Sequence, residues 1–149
     1  VDEHPSIAKQ VADAGHEIGN HSYNHRNTHG ILSTQKVAEE IAQCNGAITK
    51  ATGLHTHYYR PPFGVTNPNI ASAVGHSNMQ AIGWDIRSLD TTTNDADALL
   101  KRITDRIENG SILLLHDTQP VTVAVLPRLL QYCKQQGIPV VSLKESLKK

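Results

Sequence analysis

The sequence predicts an α/β fold built on a parallel sheet, either a barrel or an open doubly wound sheet. Three observations carry this. Short apolar or β-prone runs alternate with helical periodicities along the chain, and polar turn residues separate them. The residues best suited to chemistry, the pair His21 and His25, then Arg60, Asp90 and His116, each follow directly on one of the strand-like runs. In parallel α/β folds the carboxyl ends of the strands are where sites assemble, so this recurrence points to one functional edge.

His4-Pro5-Ser6 followed by Ile7, Ala8, Val11 and Ala12 predicts a helix entered through a proline and stopped by Gly15. Glu17 to Asn20 predicts a short strand running into His21. Val37, Ile41, Cys44, Ile48 and Ala51 fall at spacings of four, three, four and three, a helical stripe over Thr34 to Ala51 that Gly53 closes despite the internal Gly46. Thr56 to Arg60 is β-prone and is cut off by Pro61-Pro62, which cannot continue a ladder. Asn67-Pro68 caps a short helix to Val74, and Met79 to Trp84 predicts a third strand followed by a polar loop holding Asp85, Arg87 and Asp90. Asn94 caps a helix carrying Leu99, Leu100, Ile103 and Ile107. Ser111 to Leu115 is continuously apolar, as a strand buried on both faces is, and delivers His116-Asp117. A last helix is predicted from Thr122 to Gln136, and a fifth strand over Pro139 to Leu143.

Composition narrows the function. At 149 residues the chain suffices for one core but is short for an eight-unit barrel of roughly 250 residues. Fourteen basic residues balance fourteen acidic ones, so no long-range field marks a nucleic-acid or anionic-membrane binder. Nine histidines against four tyrosines, one tryptophan and one phenylalanine favour metal or acid-base chemistry over an aromatic recognition surface. Cys44 and Cys133 sit at apolar helix positions and are expected to be free core thiols. No stretch approaches about 18 consecutive apolar residues, and no basic-then-apolar leader opens the chain. The spacing of His21 and His25 puts both imidazoles on one side of a helical turn, where a divalent cation such as zinc, cobalt or nickel suits neutral nitrogen donors.

Four segments together carry a resemblance. Gly15-His16-Glu17-Ile18-Gly19-Asn20-His21-Ser22-Tyr23-Asn24-His25, Tyr59-Arg60-Pro61-Pro62-Phe63-Gly64, Trp84 through Asp90, and Leu113-Leu114-Leu115-His116-Asp117 resemble, in order, the motifs of the polysaccharide deacetylases of carbohydrate esterase family four, the NodB-homology domain. The resemblance implies a distorted (β/α) barrel, residues 1–149 being a single partial domain, and metal-assisted hydrolysis of acetyl groups from an N-acetylated glycan such as peptidoglycan or chitin, outside the cytoplasm or at the cell envelope. It implies that His21 and His25 hold the metal, usually zinc. His116 is then the general acid, and Asp90 hydrogen-bonds its imidazole and favours the imidazolium. Phe63 offers its backbone N–H to the oxyanion, Leu114 lines the acetyl-methyl pocket, and Arg60 orients the catalytic base.

The sequence also departs from the family. The family opens on a strand ending in an aspartate pair, base and third metal ligand, and no Asp-Asp occurs in these 149 residues. The expectation is therefore of a domain lacking its first strands, nearly inactive alone, with an unpaired sheet edge prone to self-association. The family's Asp-x-x-Asp-Trp reads Arg87-Ser88-Leu89-Asp90-Thr91, one carboxylate and one tryptophan fewer, with Asp85 and Asp117 as replacement carboxylates to consider. Two other readings use the same residues: a noncatalytic metal- or carbohydrate-binding module, and a small-amide or cyclic-imide hydrolase.

Overall fold

The computed structural model describes residues 1–147 and consists of two compact units, Val1–Gly83 and Trp84 onward. In the first unit α1 (Pro5–Asp13) and α2 (Thr34–Thr52) precede β1 (Tyr58–Tyr59), α3 (Pro68–His76) and β2 (Gln80–Ala81). The predicted stripe of α2 is its buried face: Val37, Ile41, Cys44 and Ile48 all point into the core. The Ser33 hydroxyl accepts from the Lys36 N–H at its start, and Gly53, at φ 75°, closes its end by donating to the Thr49 carbonyl. Asn67 caps α3 by accepting from the Ile70 N–H, with Pro68 in the first turn where its missing N–H costs nothing. Val37, Ile41, Tyr59, Ile70, Ala73, Val74 and Met79 form this unit's core, each large side chain contributing roughly 1.5–3 kcal/mol of burial.

β1 and β2 pair in parallel, Tyr58 with Gln80 and Tyr59 with Ala81. The strand predicted over Glu17 to Asn20 is reduced to one parallel bridge, in which the Asn20 N–H donates to the Tyr58 carbonyl and the Asn20 carbonyl accepts from the Arg60 N–H. Residues 15–17 and 19 before it are exposed and Ile18 is half-buried, so no packed face extends the pairing.

The second unit holds β3 (Ile86–Arg87), α4 (Ala96–Thr104), β4 (Leu113–Leu114), α5 (Pro120–Gln135) and α6 (Leu143–Ser146). Leu99, Ile103, Val121, Val125, Leu129 and Cys133 form its core, with Leu113 and Leu115 packed against them. β3 pairs in parallel with β4, Ile86 with Leu113 and Arg87 with Leu114. This corrects the polar loop read over 85–90, where Ile86 and Ser88 are buried while Arg87 and Leu89 are exposed, the alternation of a strand edge. Asp95, not Asn94, caps α4, its Oδ1 accepting from the Asp97 and Ala98 N–H groups. α5 begins two residues earlier than read, on Pro120.

Residues 111–115 are half-buried rather than buried on both faces, since β4 has β3 as its one recorded strand partner among the described residues. Residues 139–142 form no strand: Val140 is 70% exposed, and the Ser142 hydroxyl is used to cap α6. The strand pairings make two separate two-stranded sheets, so the described residues form an α/β fold without a closed barrel. Cys44 and Cys133 are free and buried, as expected of core thiols.

Candidate functional site

The segment between His21 and His25 is irregular, not the helical turn inferred from their spacing. Left-handed backbone at Ser22 (φ 70°) and His25 (φ 47°) curls it instead, and the two imidazoles still meet, with ring centroids 4.8 Å apart. The curl is held from α2. Asn20, buried, donates from Nδ2 to the Ile41 carbonyl at 2.9 Å and to Asn45 Oδ1 at 2.7 Å, while its Oδ1 accepts from the Ser22 N–H. Glu40 Oε2 accepts from Ser22 Oγ, the Tyr23 N–H and the Asn24 N–H, and Oε1 accepts from Asn24 Nδ2. Burial alone would raise the Glu40 pKa, but these donors outweigh it and hold the carboxyl at about 2.

His21 Nδ1 lies 2.6 Å from the Arg60 carbonyl. A carbonyl only accepts, so Nδ1 carries the proton and Nε2 keeps its lone pair, the tautomer a metal-binding imidazole needs. His25 packs edge-on against Phe63 at 5.0 Å, and Phe63 is itself left-handed at φ 59°. Two nitrogen donors so arranged fit a divalent transition metal as part of a ligand set. Among the described residues no group of three or more His, Cys, Asp or Glu side chains gathers as a fuller site. His29, read as able to approach from the same loop, is instead buried with Nε2 2.7 Å from the Tyr59 hydroxyl, and burial lowers its pKa. The Arg60 guanidinium reaches the Ile82 and Gly83 carbonyls from Nε and Nη2.

In the second unit the buried Asp90 faces three donors: its Oδ1 is 2.8 Å from His116 Nδ1, and its Oδ2 accepts from the His116 N–H at 2.6 Å and from Thr122 Oγ1 at 2.7 Å. Burial pushes the Asp90 carboxyl up, yet the donors, Thr122 first, hold it below its ordinary value. His116 stands on the exposed side of this pair, its side chain 45% accessible, with Nε2 as its outward nitrogen. The early start of α5 is what places Thr122 in its first turn, beside the carboxylate. Leu114 is half-buried, and alternation along β4 puts it on the face opposite Leu113 and Leu115, which pack on the helices. Asp85 is occupied structurally, accepting from the Ile112 N–H, and Asp117 is exposed.

Glu40 and Thr122 went unread in the sequence. Glu40 had a signal, because it lies three residues after Val37 and four before Cys44, a carboxylate on the apolar stripe of α2. Thr122 had none.

The polysaccharide deacetylase family model matches residues 1–82, and the chain belongs to that family. It is 30% identical over 139 residues to the uncharacterized protein YlxY of Bacillus subtilis, covering 93% of this chain and 43% of that protein. It is 30% identical over 145 residues to the peptidoglycan-N-acetylglucosamine deacetylase PgdA of Listeria monocytogenes, covering 97% of this chain and 30% of PgdA. The crystal structure of BA3943, a carbohydrate esterase family four pseudoenzyme from Bacillus anthracis, superposes with a TM-score of 0.92 at 30% identity, over 99% of this chain and 52% of that one. The chain thus spans less than half the length of the first two relatives and about half of the third.

Proposed function

We propose that this chain is part of a metal-dependent deacetylase that removes acetyl groups from an N-acetylated polysaccharide, with peptidoglycan or chitin oligomers as the substrate class and the cell envelope as its place of action. The observation that carries the reading is the His21 Nδ1–H committed to the Arg60 carbonyl, which makes Nε2 the nitrogen with a lone pair for a metal. In the first unit His21 and His25 would hold zinc, or cobalt or nickel, and the Phe63 N–H would steady the developing oxyanion. Bound there, the metal supplies Lewis acidity toward the acetyl carbonyl. In the second unit His116 would protonate the leaving amine from Nε2 while Asp90, fixed by Thr122, holds Nδ1–H, and Leu114 would line the acetyl-methyl pocket. Arg60, which orients the catalytic base in the family, would hold that place while its guanidinium also bonds the Ile82 and Gly83 carbonyls. A distorted (β/α) barrel is our proposal for the architecture, supported by the likeness to the B. anthracis structure.

The likeness to a pseudoenzyme favours a second reading, a metal- or carbohydrate-binding module without turnover. The enzyme reading and the metal-binding form of the module both require metal at His21 and His25. Calorimetric zinc titration of wild type against His21→Ala tests this: wild type binds and His21→Ala loses most of the heat. Equal binding by the two proteins would reject the enzyme and the metal-binding module, leaving a carbohydrate-binding module. Acetate release from N-acetylated chitin oligomers then separates the enzyme from the module.

A further inference from the structure

Resting on the reading of His21 and His25 as metal ligands, we propose that Glu40 is the positioning residue of that pair, a single carboxylate that fixes every residue between the two ligands. Only Ser22, Tyr23 and Asn24 separate the histidines, and all three donate to it: Ser22 Oγ at 2.8 Å, Tyr23 N at 3.1 Å and Asn24 N at 2.8 Å to one oxygen, Asn24 Nδ2 at 2.6 Å to the other. The hold passes on to the second histidine, because Ser22 Oγ accepts from the His25 N–H at 3.3 Å. Glu40 is 7% exposed and projects from the second turn of the 19-residue helix α2, which anchors it.

The loop needs such an anchor. Ser22 and His25 both occupy the left-handed region, where a residue with a Cβ is strained, and such strain persists only where surrounding contacts over-determine it. An apolar residue at position 40 would satisfy the stripe of α2 but leave the Tyr23 and Asn24 N–H groups without their acceptor and release the curl that brings the imidazoles together. A carboxylate on a core-facing register is costly to bury without partners. Here its hydrogen-bond partners are the residues between the proposed ligands, with Arg26 Nε 3.8 Å from Oε1 just beyond them, which is why we assign the position to the site and not to the core.

The test uses this chain with zinc as the probe, cobalt(II) absorption as a report of ligand geometry, and amide hydrogen exchange of the metal-free protein. Glu40→Ala is expected to weaken zinc binding by about 10- to 100-fold, the usual effect of removing a group that orients ligands. It should also change the cobalt spectrum and speed exchange at Tyr23 and Asn24, while amides in α4 and α5 keep their protection. Glu40→Gln retains one oxygen for the Ser22, Tyr23 and Asn24 donors and is expected to restore binding close to wild type. If Glu40→Ala does not fold, Asn24→Ala removes one arm of the bracket and should give a smaller loss in the same direction. Wild-type zinc affinity and amide protection in Glu40→Ala, or a Gln variant as impaired as the Ala one, would overturn the proposal. A wild-type chain that takes up no zinc would instead remove the ligand reading, and the exchange data would still decide whether Glu40 fixes residues 22–24.

Discussion

Among the described residues Asp90 and Glu40 are the two buried carboxylates, at 1% and 7% exposure, and each stays ionised because three or more donors converge on it. Their consequences differ. For Asp90 the consequence is chemical: in a form of the protein that turns over acetylated chitooligosaccharides, His116→Ala should lower kcat by roughly 10²- to 10⁴-fold without changing metal content. Asp90→Asn should act in the same direction more mildly, since the amide keeps an acceptor but not the charge. Steady-state kinetics with zinc content measured in parallel decide it, and unaltered turnover in both variants would remove these roles. For Glu40 the consequence is stability. Its ordinary value is 4.5 and its folded value about 2, so as the pH falls the unfolded chain takes up the proton first. The stabilisation is complete above pH 4.5 and drains away as the pH falls through about 2, amounting to about 3 kcal/mol in all. Urea midpoints should therefore fall more steeply with acid in wild type than in Glu40→Gln, and parallel slopes would show that the carboxylate is not held ionised.

At the scale of elements, α2 was the most legible part of the chain, because its apolar stripe, its Ser33 cap and its Gly53 stop all agree. The same helix allows one substitution to be tried with opposite expected signs. A Cβ added at Gly46 or at Gly53 meets nothing within 4 Å, so neither change is steric. Gly46→Ala, inside the helix, should stabilise by about 1 kcal/mol through helix propensity. Gly53→Ala, at φ 75°, should destabilise by about 1–2 kcal/mol because a Cβ disfavours the left-handed region. Thermal melts of the two variants check this, and shifts of the same sign would mean that the cap geometry at Gly53 is relaxed. Strands were less legible than helices, for a physical reason. The paired segments are two residues long and their ladders depend on partners far along the chain, Tyr59 on Ala81 and Ile86 on Leu113, which no local pattern specifies. At the site, the histidines, Arg60 and the Asp90–His116 pair stood out by residue type and motif. The groups that hold them, Glu40 and Thr122, bond residues 18 and 32 positions away, so the folded chain is needed to show which partner each one meets.

At the scale of the whole molecule two features act together. Charges cancel, with 14 basic and 14 acidic residues and a sequence pI of about 7.3, so copies of the chain repel each other least near neutral pH. Apolar side chains stand in solvent as well, among them Val140 at 70%, Val123 at 63% and Ile7 at 56% exposure, and each two-stranded sheet leaves strand edges open among the described residues. Self-association through such an edge is what the sequence predicts, and the charge balance gives that expectation a pH signature. Association should be strongest near pH 7.3 and weaken below it as net positive charge builds up. Just above neutral pH the 14 acidic and 14 basic residues still cancel, so association should persist there. Sedimentation velocity over a concentration series at each pH measures this directly. A sedimentation coefficient independent of concentration at pH 7.3 would show that the open edges and exposed apolar side chains are not self-complementary. Association that grows as histidines gain charge would place the attraction in charged groups and remove the edge from the account.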